Sequence, residues 1–401
     1  MFLDTPSLHL DPLWDLSAAY AADPRPERLN LIIGVYRDES GASPVMPSVL
    51  AAEARLLARA PSKEYLGLSG NTGFNAAVTG LLLGEEELVA RATAVQTVAG
   101  TGALRLLAEL LATTGPGRTV YLGTPSYVNH LAILRAARLN VVEYPVSRDG
   151  VLDAEAVLAV ARTARRGDAI LLQGCCHNPT GLSMPGPLWD ELAAVMAVRG
   201  VVPFVDQAYF GLGDGLEEDL AGMRRMLRVV PEAVVAVSGS KAWGLYSERT
   251  GCAIVLTEGR ERGEYARGVL EVTARADYSQ PPAHGALIVA EILGDPGLRA
   301  QWRAELEEMR LRLTGLREGL ADALAAGPGG AAFAALREQR GMFLRLPLAP
   351  GQMDRLREEH AVYGIPSGRI SLAGVPTARI QDLADSIAAV ADPALIGASR
   401  A

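Results

Sequence analysis

Lysine is almost missing from this 401-residue chain: 36 of its 38 basic residues are arginine, and only Lys63 and Lys241 remain. Arginine replaces lysine wherever a surface charge suffices, but its guanidinium stays protonated and cannot attack a carbonyl. Codon bias explains the scarcity, and each surviving lysine still asks for a reason. Cysteine is also sparse. Cys175, Cys176 and Cys252 make neither a disulfide framework nor a zinc spacing, which points to a reduced, cytoplasmic setting. No apolar run reaches the ~18–20 residues of a membrane span. The opening MFLDTPSLHLDP lacks the basic start of a signal peptide. Positive charge is in deficit, at net −8, which argues against nucleic acid as a partner. With 49% hydrophobic and 21% charged residues the chain is globular, and its length suggests more than one domain.

The middle of the chain alternates short apolar runs with amphipathic stretches. Strands are expected at 119–122, 140–144, 168–173, 201–205, 233–237 and 252–256, and helices at 129–138, 154–164, 189–199 and 223–229. Such alternation predicts an α/β fold with a mostly parallel sheet covered by helices, whose ligands gather at the C-terminal strand ends. Leu306, Met309, Leu313, Leu316, Leu320 and Leu324 form one apolar stripe, predicting a helix over 303–325 that stops at the glycine cluster 327–330. Candidate strands follow at 342–346 and 369–372. The expected division is an N-terminal arm at 1–10, a small α+β domain from 11–44 and 306–401, and a large domain at 45–305.

Six segments carry chemistry. The apolar strand before Asp206 ends in that acid, with Tyr209 three residues on; alone, the acid reads as a cap or turn. Ser238-Gly-Ser-Lys241, followed by Arg249, puts hydroxyls and a guanidinium suited to phosphate beside a lysine able to form a Schiff base. Gly100-Thr101-Gly102 opens an apolar helix over 103–111, whose start suits an anion. Cys175-Cys176-His177-Asn178-Pro179-Thr180-Gly181 makes a sharp turn after a strand; adjacent cysteines point in different directions, so no metal site is expected. Arg369 opens a strand after Ser367-Gly368 and suits a carboxylate. Arg275 precedes a rigid Pro281-Pro282 segment.

Together these motifs closely resemble the class I aspartate/aromatic amino acid aminotransferase family of fold-type I pyridoxal-phosphate enzymes. The likeness also takes in Asp11-Pro12, the segment from Asn30 to Tyr36, and Tyr65-Leu-Gly67. Single motifs are weak, but their order is specific, as is the 35-residue gap from Asp206 to Lys241. The resemblance implies a pyridoxal 5'-phosphate cofactor and ping-pong exchange between an L-amino acid and a 2-oxo acid such as 2-oxoglutarate. It makes Lys241 the Schiff-base lysine, Asp206 the partner of the pyridine nitrogen, and Tyr209 and Asn178 the partners of the ring's 3-oxygen. Ser238, Arg249, Gly100 and Thr101 would hold the phosphate. Arg369 would grip the α-carboxylate beside Gly34. Tyr65 and Arg275 would reach the neighbouring subunit's site, which implies a homodimer with shared active sites.

The sequence departs from the family pattern at four positions. Tyr127 stands where the family stacks a Trp over the cofactor, and Trp14 where it has a smaller residue at the substrate mouth. Gln173 replaces a histidine and Ile32 a glycine. The first two changes suggest a pocket remodelled for aromatic or β-substituted amino acids; the plain alternative is drift in an aspartate aminotransferase. The same cofactor could also serve elimination, decarboxylation or racemisation, and the two arginines favour transamination over these. A ligand-sensing regulator would need a DNA-binding domain, for which no room is expected before Asp11. A dead interaction protein would not be expected to keep Lys241 and Asp206.

Overall fold

The computed structural model describes residues 12–148, 150–327 and 330–391. The arm expected at 1–10, Asp11 and the Pro328-Gly329 pair lie outside them. Two compact units emerge. One comprises Pro44–Asn178 and Leu182–Arg312; the other, within the described residues, comprises 12–43, 179–181 and 313 onward.

The larger unit is built on seven strands: β1 (Ala92–Val98), β2 (Thr119–Thr124), β3 (Asn140–Pro145), β4 (Ala169–Gln173), β5 (Val202–Gln207), β6 (Ala233–Ser238) and β7 (Thr250–Leu256). Their spatial order is β1-β7-β6-β5-β4-β2-β3. Strand β7 runs antiparallel to both neighbours, and the others are parallel. The fold is α/β, as the alternation implies. Strands β5 and β6 are buried at every position, which is why they read as unbroken apolar runs rather than alternating ones. Leu107, Val120, Phe204 and Ala253 belong to one core beside the sheet, where a fully buried large aliphatic or aromatic side chain contributes about 1.5–3 kcal/mol.

Strand β1 was not foreseen. Its sequence ATAVQTV mixes small and polar residues and runs directly into the helix Ala99–Thr114, so the glycine-rich turn masked it. That helix starts at Ala99 rather than 103. The long helix spans Pro296–Ala325, starting before 303. Proline is tolerated in a first turn, and Asp295 Oδ1 accepts from the Leu298 N–H at 2.8 Å.

In the smaller unit, Phe343–Arg345 pairs antiparallel with Arg369–Ser371, and Leu29–Asn30 pairs parallel with Val362–Tyr363. Leu31, Leu320, Phe333, Leu344, Ile370 and Leu383 form its core. Ile32, where the family has glycine, is fully buried against Leu16, Tyr363 and Ile365, so packing absorbs the added side chain.

Candidate active site

Parallel strands deliver their ends to one edge of the sheet. Gln173 and Asp206 are direct neighbours there across β4 and β5, and Gln207 pairs with Val237 of β6. Asp206 is 6% exposed and does not stand alone. His130 Nε2 lies 2.9 Å from its Oδ2, and Ser126 Oγ lies 2.7 Å from His130 Nδ1. A neutral imidazole protonated on Nε2 satisfies both contacts, donating to the carboxylate and accepting from the serine hydroxyl. His130 is 1% exposed, so this relay sits out of water, where a charge-assisted hydrogen bond is strong.

Three residues beyond Asp206, the Tyr209 hydroxyl accepts from Asn178 Nδ2 at 3.2 Å. Lys241 Nζ lies 5.1 Å from the centre of the Tyr209 ring. The segment carrying Lys241 is anchored from behind. Trp302 Nε1 donates to the Ala242 carbonyl at 2.7 Å, Trp302 stacks on Trp243 at 5.4 Å, and Phe210 meets Trp243 edge-on at 5.6 Å.

On the adjoining side, the helix Ala99–Thr114 presents its first turn to the end of β6. A Cβ placed on Gly100 would lie 2.8 Å from Ser238 Cβ, so only glycine permits this approach. Ala99 and Arg249 both hold left-handed backbone, at φ 56° and 53°, and the Ala99 N–H donates to the Arg249 carbonyl at 2.8 Å. Two non-glycine residues in that region mark local strain of the kind found at ligand sites. Thr101 lies in the same first turn, whose N–H groups lack partners within the helix. Tyr127 packs edge-on against His130 at 5.2 Å, and burial raises its phenol pKa.

Within the smaller unit, Arg369 donates to the Ile32 carbonyl, and its guanidinium lies 4.5 Å over the Phe343 ring. The same ring faces Gly34, where a Cβ would lie 2.3 Å from Phe343 Cζ. Phe343 therefore binds together two residues that the motifs singled out separately. Trp14 is 69% exposed on the helix Pro12–Ala22. Back in the larger unit, Tyr65 is 93% exposed, and Arg275 is exposed without an ion pair among the described residues. Their segments are tied together: the Leu66 N–H donates to Gln280 Oε1 at 2.7 Å, and the Ser69 hydroxyl donates to Glu271.

One expectation is corrected. The adjacent cysteines do not point apart: Cys175 Sγ, Cys176 Sγ and an Asp219 oxygen all lie within 4.8 Å of one another. Cys176 adopts φ 48°, which breaks the usual alternation. The Asp219 carboxylate is occupied by the N–H groups of Gly211, Gly213 and Asp214. Its hydrogen bond to Cys176, together with burial, raises the Cys175 thiol pKa, and a protonated thiol is a poor ligand. His130, Ser126 and Gln173 were not given site roles from the sequence. The cue for the first two was the Ser–His spacing in the turn after β2.

The arrangement fits pyridoxal phosphate. A buried, hydrogen-bonded carboxylate, an amine, a phenol and a helix start narrowed by glycine match its ring nitrogen, aldehyde, 3-oxygen and phosphate. The profile described as aminotransferase class I and II matches residues 26–387. The chain is 44% identical to a tyrosine aminotransferase of Rhizobium meliloti (strain 1021), over 93% of this chain and 96% of that one. It is 38% identical to the aspartate aminotransferase of Escherichia coli (strain K12), over 97% and 100%. A crystal structure of the aromatic-amino-acid aminotransferase from Burkholderia pseudomallei, covalently bound to pyridoxal phosphate, superposes with TM-score 0.94 at 36% identity, covering 98% of this chain and all of that one. The chain thus belongs to the class I and II aminotransferase family and is a pyridoxal-phosphate-dependent transaminase.

Proposed function

We propose that this transaminase exchanges the amino group of an aromatic L-amino acid with a dicarboxylic 2-oxo acid such as 2-oxoglutarate. The observation that carries the substrate class is Tyr127, half-buried and edge-on to His130, where the family places a larger Trp. The higher identity to a tyrosine aminotransferase than to an aspartate aminotransferase supports the same reading.

Bound pyridoxal phosphate supplies the electron sink for the substrate's Cα. Lys241 takes up and returns the Cα proton, since its amine, unlike an arginine guanidinium, can deprotonate. Asp206 would partner the pyridine nitrogen, and His130 holds that carboxylate in place. Tyr209 and Asn178 address the ring oxygen. Gly100, Thr101, Ser238 and Arg249 take the phosphate. Arg369 takes the α-carboxylate, braced by Phe343 and the Ile32 carbonyl. We extend the proposal to a cytoplasmic homodimer in which Tyr65 and Arg275 serve the partner's site, supported by the exposure of both side chains and the hydrogen bond from Leu66 to Gln280 between their segments. Among the described residues no helix is long and apolar enough to cross a membrane.

A panel of aspartate, phenylalanine, tyrosine and tryptophan with 2-oxoglutarate tests the substrate class. A strong preference for aspartate overturns it. Mixing Lys241→Ala chains with Arg275→Ala chains tests site sharing: random pairing restores about a quarter of parental activity if a site draws on both subunits, and none if it does not.

A further inference from the structure

Gln173 closes a two-point clamp on the main chain of Asn178. Its Nε2 donates to the Asn178 carbonyl at 2.9 Å, and its Oε1 accepts from the Asn178 N–H at 2.8 Å. A planar amide offers donor and acceptor side by side, matching the two main-chain groups of a single residue. An imidazole, the family's side chain at this position, directs its two nitrogens apart and can meet one of them. Amides do not titrate near neutral pH, so the clamp holds across the working range.

The clamp sits where its effect reaches the cofactor pocket. Gln173 is the last residue of β4 and the direct neighbour of Asp206. The Gly174 N–H donates to the Asp206 carbonyl at 2.9 Å, so the turn from 173 to 178 is moored to β5 at its start and clamped to its own root at its end. Asn178, 2% exposed, then directs Nδ2 at the Tyr209 hydroxyl 3.2 Å away.

We propose that Gln173 is a positioning residue for the cofactor pocket, fixing Asn178 so that its side-chain amide and the Tyr209 hydroxyl keep one geometry toward the ring oxygen. The inference rests on the roles given to Asn178 and Tyr209 above. The substitution at 173 is thereby a gain of order at Asn178 and not a silent replacement.

The test uses the pyridoxal-phosphate-loaded enzyme and reads the pH midpoint of its visible absorbance band and the cofactor dissociation constant. Gln173→Met keeps length and removes both bonds; Gln173→His restores one. Losing the clamp raises the midpoint by about half a unit to one unit and weakens cofactor binding about three- to tenfold. Gln173→His lies between Met and the parent. Asn178→Ala shifts the midpoint at least as far, and Gln173→Met adds nothing in the Asn178→Ala background, because Gln173 acts through Asn178. Unfolding curves confirm that each variant is folded. If Asn178→Ala moves the midpoint and Gln173→Met leaves it at the parental value, the proposal is overturned while the role of Asn178 stands. If neither moves it, the reading of Asn178 fails and takes the proposal with it.

Discussion

Replacing His130 with alanine removes the only imidazole contact to Asp206 among the described residues. Both partners are nearly inaccessible, at 1% and 6% exposure, and the Nε2–Oδ2 distance is 2.9 Å. A hydrogen bond to a charged group of this kind is worth about 1.5–3 kcal/mol. If that stabilisation is expressed when the carboxylate supports charge on the cofactor's nitrogen, kcat/KM falls about tenfold to a hundredfold. Ser126→Ala supplies an internal scale. It removes a neutral bond at 2.7 Å, worth about 1 kcal/mol and hence about a fivefold loss. The two effects should not add, because serine acts through the histidine. Steady-state kinetics with a tyrosine and 2-oxoglutarate pair, on the two single variants and their double variant matched for cofactor content, measures all three. A His130→Ala enzyme within experimental error of the parent, or a Ser126→Ala enzyme more damaged than the His130→Ala one, refutes the relay.

Three further outcomes follow from the geometry. Gly100→Ala places a methyl 2.8 Å from Ser238 Cβ; overpacking of about 1–3 kcal/mol should weaken cofactor binding to the apoenzyme about tenfold, read by fluorescence titration. Trp302→Phe strips the Ala242 carbonyl of a 2.7 Å donor, and the urea midpoint should fall by the equivalent of about 1–3 kcal/mol at unchanged m-value. Burial lowers the His177 pKa from 6.5 to about 3. The folded state therefore binds fewer protons than the unfolded one between those values, and the stability His177 contributes is complete above 6.5 and is lost progressively as pH falls. Part of its accessible surface faces a cavity of about 30 Å³ shared with Ser126 and Gln173. Allowing for that access, His177→Asn should shrink the loss of unfolding free energy between pH 7.5 and 5.0 by about 1–2 kcal/mol, measured by urea titration at the two pH values.

Much of the fold was legible because the signals are local. Strands β4 to β6 announce themselves as apolar runs, since strands buried on both faces need no polar alternation. Strand β1 escaped because Ala92–Val98 is partly exposed and mixes threonine and glutamine into the run. The early start of the long helix escaped because its capping aspartate precedes a proline that reads as a breaker. Among candidate site residues, Asp206, Lys241 and Arg369 could be singled out because strand ends and residue chemistry make them unusual. Arginine cannot form an imine, so a lysine kept at the end of β6 in a chain with one other carries information by itself. The cysteine pair shows the limit of such reasoning, since its orientation depended on a left-handed Cys176 that no local pattern declares.

The sequence by itself determined the chemistry available: which side chain can attack a carbonyl, which can carry a fixed charge, and which runs must be buried. Only the tertiary structure decided how these groups are held. His130 reaches Asp206 across 76 residues of chain, Phe343 joins Gly34 to Arg369, and Gln173 grips Asn178 instead of acting as a replaced histidine. Residue type sets what a group can do. Hydrogen bonds between side chains on separate elements depend on strand register and backbone angles to within a few tenths of an ångström, and those are settled by the packing of the whole unit.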